Sequence, residues 1–301
     1  MEAAVHSLDH FALTVPDANV ADQFYANFGL KTTPRGNSLT LETPNGLAGT
    51  VFEGERKRLH HLTFGIDAAD FEAFRKRLEA GGVVLLDPPA EAASAAEALW
   101  FRDADGNLIE LLAATRRSPR EKSNMNVRVA APGERAAPEG TERPKPRRLG
   151  HALLFSPDVL RQVEFYRRYL GLGLADRSGE VVAFMYSKHG SDHHILAFGK
   201  SERPGFHHAS FELESIDAIG VAAMHMKSQG HTEGWGFGRH YIGSNYFQYV
   251  RDPWGSFAEY FCDIDYIPSG CAWQERNVPA EHALFVWGPS PPPYFFENVE
   301  T

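Results

Sequence analysis

The chain has 301 residues, 43% of them hydrophobic and 23% charged, with a net charge of −9; this is the composition of a soluble globular protein long enough for two ordinary domains. The acidic balance argues against a nucleic-acid surface, no run of 18 apolar residues is present to span a membrane, and the N-terminus has no basic head followed by an apolar run, so no export signal is visible. Two cysteines, Cys262 and Cys271, make no disulfide framework and fit a reducing, cytoplasmic setting, while histidine is abundant at 14.

Residues 8–15 read as a strand ended by Pro16 and Asp17. Over 18–28, Val20, Phe24 and Phe28 fall at helical spacing, and Gly29 stops the helix. Strand-like runs follow at 38–42 and 48–52, and residues 60–66 form another strand. A second helix is predicted over 68–80, with Phe71, Phe74 and Leu78 on one face, then strands at 83–86, 98–102 and 107–113. The pattern is a strand, a helix and three strands, written twice.

From Gly150 it is written twice more. His10, Pro16-Asp17 and Phe24-Tyr25 are mirrored by His151, Pro157-Asp158 and Phe165-Tyr166 at identical spacing. His60-His61 with Phe64 returns as His207-His208 with Phe211, and Arg102-Asp103, Gly106 and Glu110 return as Arg251-Asp252, Gly255 and Glu259. An internal duplication explains this economically. The expected fold is α+β: two tandem domains, each of two βαβββ modules whose sheet curls around a cavity. The first domain spans 1–115. Residues 116–148, rich in Arg, Lys, Pro, Glu and Ala, read as a solvated linker. The second domain spans 149–265, and residues 266–301, with Trp273, Phe285 and Trp287, form an extension expected to pack on or cover it.

The second half concentrates ligand-type side chains. His151, His208 and Glu259 stand at strand starts or ends. Two imidazoles and a carboxylate that leave one side open suit Fe(II), although the same donors also accommodate Mn(II) or Zn(II). Within the doublet, strand alternation puts His207 with Ala209, Phe211 and Leu213 on an apolar face beneath a helix, and His208 with Ser210 and Glu212 on a polar lining. Asp252 to Gly255 has the composition of a tight turn, which returns Glu259 towards Tyr249.

The stretch from Gly238 to Glu259, with His240, Tyr249, Asp252-Pro253, Gly255 and Glu259, resembles the signature of the extradiol ring-cleavage dioxygenases of the vicinal oxygen chelate superfamily, of the catechol 2,3-dioxygenase type. Gln248 departs from it, since an apolar residue usually precedes the tyrosine. The resemblance covers nearly the whole chain and implies the glyoxalase/bleomycin resistance/dihydroxybiphenyl dioxygenase fold with a non-catalytic first domain. It implies Fe(II) held by His151, His208 and Glu259, and a catecholic substrate cleaved with both atoms of O2. It also implies an acid–base histidine in the Ser191–Phe198 strand, placed at His193 because that residue lies 15 before His208. His240 and Tyr249 would donate hydrogen bonds to the bound oxygens. Relatives are commonly homo-oligomers, and no nucleotide or flavin is required.

His10, His61 and Glu110 repeat the ligand triad in the first half, but Trp100 occupies the place of Tyr249 and no histidine matches His193 or His240. That contrast assigns the chemistry to the second domain and reads the first as scaffold. Phe184, Tyr186, Phe206, Trp235, Phe237 and Tyr246 are candidate pocket aromatics for a monocyclic catechol or trihydroxybenzene. The alternatives on this fold are a glyoxalase-like isomerase, a thiol transferase and a metal-free ligand-binding module.

Overall fold

Asp17 and Asp158 each cap a helix, their carboxylates accepting backbone N–H groups of the first turn, and Gly29 and Gly171, both at positive φ, close those helices. The duplication is therefore visible at the level of caps. The computed structural model describes residues 2–92, 97–127, 129–136 and 143–300. In the first half these form β1 (Ser7–Val15), α1 (Ala18–Phe28), β2 (Lys31–Arg35), β3 (Ser38–Thr43), β4 (Gly46–Glu53), β5 (Arg58–Ile66), α2 (Phe71–Ala80), β6 (Ala98–Arg102) and β7 (Leu108–Ala113). The predicted strand at 83–86 reduces to a single bridge between Leu86 and Trp100.

The second half contains β8 (Arg148–Ser156), α3 (Val159–Leu170), β9 (Gly173–Ser178), β10 (Val182–Tyr186), β11 (Ser191–Asp192), β12 (Leu196–Lys200), β13 (Gly205–Glu212), α4 (Ile216–Ser228), β14 (Gly234–Arg239), β15 (Tyr246–Arg251) and β16 (Phe257–Cys262). Two short strands follow, β17 (Tyr266–Ile267) and β18 (Arg276–Asn277). The sheets run β2-β3-β4-β1-β5-β7-β6 and β14-β15-β16-β13-β8-β12-β10-β9-β18. Each mixes parallel pairs (β1 with β4, β5 with β7; β8 with β12, β13 with β16) with an antiparallel centre. Strands from both ends of the second sheet line one cavity, so the sheet wraps around it. The two halves share a continuous apolar core; Phe28 stacks on Tyr260 at 3.8 Å and the Tyr260 hydroxyl donates to Phe28 O.

Matching irregularities mark both sheets. In β13, Phe206 faces Leu154 and His208 faces Leu153, so His207 is an extra residue in the ladder; in β5, His60 is extra at the same place. Asp9 and Gly150 are likewise extra in β1 and β8. Such bulges re-aim neighbouring side chains, and they overturn one expectation. His207 does not pack beneath a helix: its ring meets Phe155, Phe257 and Phe295 and, with His208, lines the cavity. Gly150 is required where it stands, because a Cβ there would lie 2.5 Å from the Phe261 ring.

Candidate metal centre and cavity

His151 comes from β8, His208 from β13 and Glu259 from β16, neighbouring strands at the centre of the sheet. Their ligand atoms all lie within 4.8 Å of one another, and all three residues are buried. Glu259 Oε2 is 3.1 Å from His151 Nε2 and 3.4 Å from His208 Nε2. Burial pushes the Glu259 carboxyl up, but the hydrogen bond and charge of His151, then His240, hold it below its usual range. Burial, with His207 and His151 nearby, pushes His208 well down, so it is neutral.

The neutral tautomer of His208 follows from its neighbours. His207 Nε2 lies 2.6 Å from Phe295 O and must donate to it. His207 Nδ1 therefore accepts, and the partner 2.6 Å away, His208 Nδ1, carries the proton. His208 Nε2 is left as a bare lone pair without a hydrogen-bond partner, facing a carboxylate oxygen. Two lone pairs turned on each other in a buried site are unfavourable unless a cation lies between them. The donors fit a divalent metal.

His194 and His193 have exchanged their expected places. The expectation put His193 at the substrate; its ring is instead buried behind the wall, with Nε2 3.1 Å from Asp176 Oδ2 and Trp273 beside it. His194 lines the cavity, its ring 4.1 Å from that of His151 and 4.9 Å from Phe184. The physical reason is local. Ser191 and Asp192 pair with β17, not with β8, and His193 N bonds Asp265 O, so the chain turns before β12 begins and the adjacent rings diverge by 86°. Asp176 accepts from His193 Nε2, His193 Nδ1 accepts from His194 Nδ1 at 3.1 Å, and Nε2 of His194 is left free to act as a base. Arg276 also grips Asp176, 2.9 Å from its Oδ2. Burial, then the neighbouring His151, pushes His194 well below the usual histidine range.

His240 and Tyr249 line the same cavity. His240 Nδ1 donates to Leu284 O at 2.6 Å, so its Nε2 accepts, with the Tyr249 hydroxyl 3.1 Å away. Tyr249 faces Glu259 directly across the β15–β16 ladder, and burial, then Glu259, raises its phenol far above the ordinary value. It remains a donor at neutral pH. The turn that creates this register is closed by Asp252, whose Oδ1 accepts from Trp254 N and Ser256 N, with Gly255 at φ 97°.

The family model described as Glyoxalase/Bleomycin resistance protein/Dioxygenase superfamily matches residues 7–111 and 148–260. The chain belongs to that superfamily. Within it, Metapyrocatechase 2 of Cupriavidus necator is 45% identical over 300 residues, covering 99% of this chain and 93% of its own. The expected kinship with extradiol ring-cleavage dioxygenases holds, and the second domain carries the His-His-Glu metal site. Two solved structures share the superfamily fold over both domains. The Mn(II)-bound glyoxalase from Novosphingobium aromaticivorans has a TM-score of 0.79 at 22% identity, over 97% of this chain and 94% of its own. The 2,3-dioxygenase LapB from Pseudomonas sp. KL28 has a TM-score of 0.75 at 23% identity, over 92% and 99%. At those identities they speak for the fold alone.

The superfamily cavity here has a volume of about 290 Å³ and mostly apolar walls. Of the aromatics expected in it, Phe184 and Trp235 are present. Phe206 instead packs on Phe11 between the domains, Phe237 and Tyr246 stack beside Trp287, and Tyr186 lies against Gly173. In their place stand Phe155, Ile242, Leu284, Phe295 and Phe296. Three of those five belong to the C-terminal extension, where the sequence shows no repeat to place them. Asn245 was also missed; its Nδ2 lies 3.4 Å from Glu259 Oε1. Among the described residues no helix is long and apolar enough to cross a membrane.

Proposed function

We propose that the chain cleaves a catechol ring in the extradiol (meta) position, inserting both atoms of O2, with Fe(II) bound by His151, His208 and Glu259. The observation that carries this reading is the company the triad keeps: one cavity is lined by His151 and His208 of the triad, a histidine with a free Nε2 (His194) and the hydrogen-bonded Tyr249 and His240. When bound, Fe(II) lowers the pKa of a catechol hydroxyl and carries electron density between ring and dioxygen; Mn(II) fits the same donors. His194, with Nδ1 committed to His193, takes a substrate proton at Nε2 and later returns one. Tyr249, protonated at neutral pH, stabilises oxygens that gain charge, and His240, with its Nδ1 proton committed to Leu284 O, positions that phenol through its Nε2 lone pair and not as a donor. The apolar walls exclude water and strengthen those contacts.

The walls also speak to the substrate. Apart from the site histidines, the charged lining residue is Lys200, and its ammonium is held by Pro157 O. A monocyclic catechol with an uncharged, apolar substituent fits better than a carboxylated one. The buried free thiol Cys262 and exposed Cys271 accord with a cytoplasmic enzyme. The test is anaerobic reconstitution with Fe(II), in parallel with Mn(II), followed by catechol and alkylcatechols in air. A yellow ring-opened product with one O2 consumed per catechol is expected. No oxygen uptake with any catechol, alongside turnover of a thiol adduct, would overturn the proposal.

A further inference from the structure

The ligand atoms of His10, His61 and Glu110 in the first domain also lie within 4.8 Å of one another. Counting the protons around them shows what is missing. His10 Nδ1 is 2.9 Å from Asp9 Oδ1; its N–H points at that carboxylate, and Nε2 keeps a lone pair. His60 Nε2 is 3.0 Å from Glu91 Oε1, and His60 Nδ1 is 2.6 Å from His61 Nδ1. Glu91 accepts from His60, His60 then accepts from His61, and His61 Nε2 is bare as well. Between the His10 lone pair and the Glu110 carboxylate stands one hydroxyl, Thr63 Oγ1, 2.6 Å from Glu110 Oε2 and 3.2 Å from His10 Nε2. One hydroxyl proton cannot serve both of these acceptors, whereas one cation can meet them and His61 Nε2 together.

We infer that the first domain binds a second divalent transition-metal ion through His10, His61 and Glu110. Metal-ligating histidines pass their other N–H to a carboxylate, carbonyl or water. Both histidines here follow that rule, His10 directly to Asp9 and His61 through His60 to Glu91, whereas His151 Nδ1 in the second domain has no such partner. A cleft of about 240 Å³ lined by Asp87 and Trp100, with Arg75 also on its wall, reaches Glu110 of the triad. Trp100 faces Glu110 across the β6–β7 ladder, as Tyr249 faces Glu259, and its ring is 4.9 Å from that of His61. With an indole in place of the phenol, and no counterpart of His194 or His240, the ion is structural: it ties β1, β5 and β7 together.

The test counts metal and does not depend on turnover. Chelator-stripped protein is loaded anaerobically with Co(II), desalted and assayed by plasma mass spectrometry. Two ions per chain are expected for the wild type, one for His208→Ala/Glu259→Gln, and none when His10→Ala/Glu110→Gln is added. Because ligand variants can misfold, Trp100 provides a second readout. In folded His208→Ala/Glu259→Gln, Co(II) should quench emission that Trp100→Phe removes. A single ion in the wild type with no Trp100-dependent quenching overturns the site, as does a second ion that survives His10→Ala/Glu110→Gln in folded protein.

Discussion

Three pairs of adjacent histidines decide where protons sit in this protein. In His60-His61, His193-His194 and His207-His208 the two Nδ1 atoms meet, at 2.6, 3.1 and 2.6 Å, and the outer ring turns Nε2 to an oxygen of Glu91, Asp176 or Phe295. Each outer ring thereby sets the tautomer of the inner one and leaves its Nε2 free for a metal or a substrate proton. His194→Phe is expected to retain iron but lower turnover by about 10²–10⁴-fold, the loss typical of a removed acid–base group. His193→Phe should cost less, roughly 10- to 100-fold, as for a residue that orients a working group, and His193→Gln, which still accepts from His194, should recover part of it. Equal losses in His193→Phe and His194→Phe, read with iron content, would return the acid–base role to His193. From the sequence the doublet was legible as a site, but not its orientation. Spacing along the chain counts residues, while the turn between β11 and β12 determines which ring faces inwards.

At the scale of elements, the C-terminal extension completes the site. Leu284 O and Phe295 O set the tautomers of His240 and His207, Trp235 donates to Pro289 O, and Phe295 and Phe296 form cavity wall. Further on, Glu300 accepts from Lys57 Nζ at 2.8 Å and from Leu59 N, which fastens the tail to the first domain. A chain ending at Val278 should lose these acceptors and the wall together. Its KM for a catechol is expected to rise, and its Fe(II) affinity to fall roughly 10- to 100-fold, measured by steady-state oxygen uptake and competition with a chelator. Unchanged values would reduce the tail to packing. Its aromatics suggested a cover, but backbone carbonyls belong to every residue alike, so their use as acceptors leaves no trace in the sequence.

Across the whole molecule, both domains bury neutral histidines. His61 is pushed down to about 2 by burial and then by His10, and His207 to about 4 by burial; His194 and His208 are also well below 6.5, by burial first. The unfolded chain takes up protons from pH 6.5 downwards, and these folded groups do not. Stability of the metal-stripped protein must therefore fall with pH through the window from 6.5 to about 4, and further for His61. At about 1.4 kcal/mol per unit, His207 alone accounts for a loss of about 3 kcal/mol. Urea unfolding of chelator-treated protein at pH 7.5 and 5 checks this; equal midpoints would show that these groups titrate normally. Loading with metal should raise stability but leave the slope at least as steep, because metal-bound ligands take up no proton in the folded state while the unfolded chain still does.

The two tandem domains, the repeated turn motifs and the identities of His151, His208 and Glu259, which the structure brings together, are all legible in the residues alone. Those features are carried by side-chain type and period, and a duplicated chain prints them at matching positions. Packing and strand pairing bring His194 and not His193 into the cavity, turn His207 inwards beside His208, and make Phe155, Leu284 and Phe295, not Phe206 or Tyr246, the walls of the site. The alternation that assigns faces holds while a ladder stays regular. One extra residue at His207 breaks it, and whether a ladder accommodates that residue depends on the strand paired with it.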